Sequence, residues 1–146
     1  MTAEVAFCLL NLLVLPVWAT WLVAPRSRAA AALAGHGLVF LVPCALYAVL
    51  LGAALATGGA GGGLGYTGLR EALATPLGFL AGWTHYLALD LFAGAWVLRE
   101  ARRLGLGARP YLLLTLLAGP LGLAAFLVRR TARLREFGRI GAVDLA

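Results

Sequence analysis

The chain has 146 residues, 62% of them hydrophobic and 12% charged, where an ordinary soluble domain carries roughly 25% charged residues. A core of this size cannot hide so much hydrocarbon, so the surface is apolar too and the composition places the chain in a bilayer. The 12 basic residues are all Arg and give a net charge of +6, but they sit at the ends of apolar runs, where lipid headgroups are met, rather than forming a nucleic-acid-binding patch.

Four continuous apolar runs, at about 5–24, 36–57, 77–98 and 111–128, each have the ~20 residues needed to cross a bilayer as a helix. Their continuity excludes the alternating pattern of a closed barrel. The expected fold is an all-α integral membrane four-helix bundle with short interfacial helices, one transmembrane domain over 1–146. Glu4 stands where a secretory signal would be basic, and the first run is too long for one. Pro25 ends that run, and Arg26 and Arg28 cap it. Residues 58–65, with Gly at 58, 59, 61, 62, 63 and 65, read as a flexible loop without the ending of a phosphate-binding loop.

Residues 69–75 suit a short interfacial helix before Pro76, and 99–109 a polar connector. Residues 129–140 form a basic amphipathic tail, with Leu134 and Phe137 at helical spacing, expected on anionic headgroups. Cys8 and Cys44 fall at different depths, so no disulfide is expected. Four full crossings divide the arginines evenly. Arg70, Arg129, Arg130, Arg133, Arg135 and Arg139 fall on one side, the other six on the opposite side, and charge cannot choose an orientation. If the last run turned back at Gly119-Pro120, Arg70 would stand alone against eleven. Four crossings are favoured because the last run is long enough to cross and a re-entrant turn needs burial by neighbours.

The third run carries His85 and Asp90, and ionisable groups at such depth usually mark function. Four antiparallel crossings put Asn11 and His85 ~9 and ~12 Å deep, with Asp90 and Thr115 both at ~20 Å. Two polar levels follow, Asn11 with His85 and Asp90 with Thr115. His85 and Asp90 lie five residues apart, about 140° around the helix, and do not form a dyad. Tyr86 and Asp90, four apart, share a face, either as a proton-handling pair or as a structural hydrogen bond between helices. Pro120 frees the carbonyl of Leu116, while Gly119 and Gly122 admit a close backbone or a flat ligand.

His36 and His85 lie at different levels, which disfavours a bis-histidine haem. His85 alone suits the magnesium of a chlorophyll-type pigment or one face of a haem. No HxxH, HxxxH or Cys pair provides a metal site, and Ser27 is the only serine. What fits is cofactor-free acid–base chemistry on an apolar substrate, carried by Asp90, His85 and Tyr86. Trp83, Phe92, Trp96 and Tyr47 would line a groove for a polyene, or simply pack.

The motif Trp83-x-His85-Tyr86-Leu87-Ala88-x-Asp90-Leu91-Phe92-x-Gly94-x-Trp96, with Leu113-Leu114-Thr115, Gly119-Pro120-Leu121-Gly122-Leu123 and Leu15-Pro16-x-Trp18, resembles the abscisic-acid-deficient-four family. The resemblance covers about residues 5–129. It implies a small four-helix membrane protein that binds or modifies carotenoids, as in neoxanthin synthesis, where an epoxide opens by proton transfers without a redox cofactor. The expected catalytic residues are then Asp90, His85 and Tyr86. Contacts to substrate or pigment fall to Trp83, Phe92, Trp96, Thr115, Gly119, Pro120 and Asn11. No metal or cofactor is required, a carotenoid or chlorophyll-type pigment is the expected ligand, and the location is a bacterial inner or photosynthetic membrane. The alternative is a non-catalytic pigment-binding or structural subunit of a larger, photosynthetic membrane complex. Whether the chain is an enzyme stays open at this level.

Overall fold

A computed structural model describes residues 2–58, 63 and 65–134, and among these every regular element is an α-helix. Helix α1 spans Ala3–Val23, α2 Arg28–Gly35, α3 Gly37–Ala56, α4 Tyr66–Ala74, α5 Pro76–Arg103, α6 Arg109–Ala118 and α7 Pro120–Leu134. The last part of the expected basic tail, 135–140, and most of the glycine-rich loop lie outside the described residues.

The helix starts follow from side chains that accept the first free backbone N–H groups. Thr2 caps α1 through the amide of Val5, Ser27 caps α2 through Ala30, and Thr75 caps α5 through Gly78. Pro76 follows at the first turn of α5, where its missing N–H costs nothing. Helix α2 is not among the elements expected from the apolar runs. Its signal was present: a Ser cap followed by an alanine-rich stretch of high helix propensity.

Helix α5 is the axis of the fold. Its 28 residues extend ~42 Å, and every other helix packs against it. Phe7 of α1 meets Phe79 and Trp83, while Trp18 lies against Gly94, so α1 and α5 run parallel. The pairs Phe40–Phe92 and Tyr47–His85 set α3 antiparallel to α5. Trp18 and Trp21 are fully buried edge to face, and a Cβ on Gly94 would approach Trp18 Cη2 to 2.6 Å. Only glycine lets α5 come this close to the two indoles.

Arginines tie the start of α6 to the end of α1 and the C-terminal end of α5 to the start of α2. Arg109 donates to the carbonyls of Leu22 and Val23, which α1 itself leaves unpaired, and Arg102 donates to that of Ser27. Arg99 reaches Ala34 of α2, and the Trp21 indole N–H donates to Ala30. These bonds hold α2 across the ends of α1 and α5.

The fourth apolar run departs from expectation. It does not form one helix over 111–128 but folds back at Gly119, whose φ is +40°. Three contacts fix the antiparallel hairpin. Tyr111 packs on Phe126 at 5.3 Å, a Cβ on Gly122 would sit 2.6 Å from Thr115 Cα, and Arg130 returns to Glu100 near the end of α5. Both the 111–126 and the 115–122 pairs are centred on the Ala118–Gly119 junction. Pro120 forces the break because it cannot donate to the preceding turn, and Gly122 lets the two limbs touch. The required burial comes from α5, with Val97 and Leu98 fully covered and Trp96 edge-on to Phe126. The fourth crossing is therefore corrected to a hairpin of half-membrane length, since the 10 residues of α6 reach only ~15 Å.

Among the described residues two helices, α1 and α3, are long and apolar enough to cross a membrane, with mean hydropathies of 2.0 and 2.5. Only 22% and 11% of those stretches are buried within the chain. The core helix of a soluble protein, by contrast, is mostly buried.

Candidate functional site

Asp90 sits two-thirds of the way along the apolar part of α5, where the hairpin ends. The hairpin tip rests on it: a Cβ on Gly119 would come within 2.9 Å of Asp90 Oδ1. The positive φ and this close approach both require glycine at position 119. Above the tip, toward the arginine-rich end, α5 and α7 enclose a cavity of about 550 Å³. Its walls are Leu89, Phe92, Ala93 and Trp96 on α5, Gly119 at the hairpin turn, and Pro120, Leu123 and Leu127 on α7. Asp90 is the one ionisable group among them, half-buried in hydrocarbon. No hydrogen bond to its carboxylate is made among the described residues.

The two polar levels expected from four crossings are not formed. Thr115 is buried at the hairpin interface, and its hydroxyl donates to the carbonyl of Tyr111 rather than to Asp90. Asn11 donates to the carbonyl of Phe7 on its own helix and makes no bond to His85. The physical reason is the same for both. Each hydroxyl or amide satisfies itself one turn back within its own helix, as side chains do when no partner approaches.

Tyr86 shares the helical face of Asp90, as the spacing requires, but lies below the hairpin tip and is 61% exposed. It makes no hydrogen bond to Asp90 among the described residues. His85 points to the opposite flank of α5, with its ring 5.3 Å from that of Tyr47 on α3. The three expected catalytic residues thus face three surroundings, and only Asp90 enters the cavity. Of the expected contact residues, Phe92, Trp96, Gly119 and Pro120 line it. Trp83 instead joins Phe7 and Phe79 at the far end of α1, where its indole N–H is buried without a partner among the described residues.

Leu89, Ala93, Leu123 and Leu127 complete the cavity and are not among the expected contact residues. Their signal is the spacing 89–93–96 on one side and 120–123–127 on the other, which becomes meaningful once the run is folded back. The Glu100–Arg130 pair was missed for the same reason. Its bond of 2.7 Å joins α7 to α5, with side chains 13% and 4% exposed. The Arg103 and Arg130 guanidiniums bonded to Glu100 hold its carboxyl down at about 2, against the opposing effect of burial. No group of three His, Cys, Asp or Glu side chains converges among the described residues.

These features define a small all-α protein in which a lone carboxylate is set at a hairpin tip in an otherwise apolar cleft. The sequence model of the ABA DEFICIENT 4-like family matches residues 5–126, and the chain belongs to that family. Neither the curated proteins nor the solved structures contain a significant match.

Proposed function

We propose that the chain is an integral membrane protein that holds a carotenoid in the α5–α7 cleft, with Asp90 as the group that exchanges protons with it. Family membership supports the pigment class. The observation that carries the reading is the cleft itself: eight apolar or glycine residues surround one carboxyl. A polyene gains from that hydrocarbon wall, and a carboxyl at this depth is too costly to keep as packing.

One carboxyl suffices for an isomerisation by ring opening. Its proton passes to an epoxide oxygen as the C–O bond breaks, and the resulting carboxylate takes a proton from a neighbouring carbon as the new double bond forms. The carboxyl is restored, no electrons enter or leave, and the product has the atoms of the substrate. His85 and Tyr86 stand outside this cycle.

In the proposed orientation α1, α3 and α5 cross the bilayer, and the hairpin enters and leaves on one side. That side carries Arg26, Arg28, Arg99, Arg102, Arg103, Arg109, Arg129, Arg130 and Arg133, leaving Arg70 as the one described arginine opposite. The imbalance makes the hairpin side cytoplasmic.

A second reading, pigment holding without chemistry, is favoured by the absence of another titratable group among the described cavity residues. Asp90→Asn separates the two. Expressed in a carotenoid-producing cell, the variant should insert and retain pigment while the product peak of the wild type disappears from the chromatogram. An unchanged product peak would eliminate the catalytic role and leave the holding role.

A further inference from the structure

At the arginine-rich end, the termini of α1, α5 and α6 enclose a second cavity, of about 480 Å³. Arg26, Arg102 and Arg109 line it, together with Ser27 and the apolar Ala24, Pro25, Leu106 and Pro110. No acidic residue among the described residues lies in its wall. The nearest carboxylate along α5, that of Glu100, is engaged by Arg103 and Arg130. Three positive charges therefore face one space without a counter-charge from the described residues.

Two of the guanidiniums are held in place. Arg109 is fixed by the Leu22 and Val23 carbonyls through Nε and one Nη, and Arg102 by the Ser27 carbonyl through Nη1. Each has five N–H donors, so donors remain after these bonds. Fixing the fork beforehand reduces the ordering cost of binding an anion. Arg26 makes no hydrogen bond or ion pair among the described residues. The N-terminal ends of α2 and α6 open on the same space at Ser27 and Arg109, and their positive ends add to the field.

We infer that this cavity is a phosphate site, which takes the phosphodiester of an anionic lipid headgroup with its glycerol against Leu106 and Pro110. Guanidinium forks match phosphate oxygens in pairs, and the cavity lies where the apolar stretches of α1 and α5 end. The lipid source rests on the membrane reading above; the phosphate chemistry rests on the arginines alone.

The test uses the full chain purified in mild detergent and examined by native mass spectrometry. Phosphatidylglycerol, phosphatidylcholine and inorganic phosphate are the probes. One saturable phosphatidylglycerol is expected per chain. Arg26→Gln, which breaks no bond of the fold, should weaken it about fivefold, the contribution of one arginine at an anionic interface. Arg133→Gln, on the same side but outside the cavity, should leave it unchanged. Displacement by inorganic phosphate would assign the site to phosphate itself, and resistance to displacement to the lipid headgroup; either outcome supports the site. Equal weakening by both variants, or no saturable binding of any probe, would overturn it. Because binding is read on protein already extracted from the bilayer, that result would leave the membrane reading standing.

Discussion

Replacing Gly122 by Ala tests the hairpin at its tightest point. The added Cβ would stand 2.6 Å from Thr115 Cα and closer still to the Thr115 amide nitrogen and hydroxyl. Comfortable carbon–carbon contact needs ~3.5–4.0 Å, so α6 and α7 would have to part by about 1 Å. The obstacle is backbone, which cannot swing aside as a side-chain tip does. Overpacking of this kind costs about 1–3 kcal/mol, against which alanine returns under ~1 kcal/mol of helix propensity. Gly52→Ala in α3 is the matched control, because a Cβ there meets nothing within 4 Å. Thermal unfolding in detergent should show Gly122→Ala clearly less stable than the wild type and Gly52→Ala equal or more stable. If both variants melt with the wild type, the two limbs do not touch at this point and the hairpin geometry is refuted.

Further outcomes follow from the same geometry. Gly119→Ala forces a non-glycine residue to φ +40°, ψ −100°, and pushes a methyl toward Asp90; strain of about 1–3 kcal/mol is expected, with pigment binding reduced more than folding. Glu100 has a folded-state pKa of about 2, below its ordinary 4.5, so the unfolded chain binds the proton first and acidification disfavours the closed form. The α5–α7 tether should be intact above about pH 4.5 and weaken progressively toward pH 2, read as growing protease access to α7; access independent of pH would contradict the pairing. Glu100→Gln should destabilise the hairpin by about 3 kcal/mol at neutral pH, measured by the same melting assay. In a cysteine-free background, Ser27→Cys, Gly107→Cys and Ala132→Cys should label from one side of the membrane and Thr57→Cys from the other. Labelling of Ala132→Cys together with Thr57→Cys would restore a fourth crossing.

Much of the scaffold is legible in the sequence because hydrocarbon length and helix-end chemistry are local. The first three apolar runs correspond to α1, α3 and α5 within a few residues, and the 69–75 segment to α4. The fourth run has a spanning length only if the chain stays straight. Gly119-Pro120 marked the break, and the eleven-to-one arginine division favoured it, but the decisive contact is non-local. Gly122 accommodates Thr115, and α5 supplies the cover that a re-entrant segment needs. Once the run folds back, depths counted along a straight helix no longer apply. Thr115 therefore left Asp90, and Gly119 took its place. The separation of His85 from Asp90 was legible, since five residues of helix fix the angle. The isolation of Tyr86 was not, because it depends on where a neighbouring hairpin stops.

The absorption spectrum of the protein purified from its native membrane tests most directly whether the cleft holds a pigment. Carotenoid bands at a fixed ratio to protein are expected. They should be lost from Ala93→Trp, which fills the cavity beside Asp90, and retained in Arg133→Gln, which lies outside it. A protein free of carotenoid bands, or bands that survive Ala93→Trp unchanged, would contradict the assignment of the cleft.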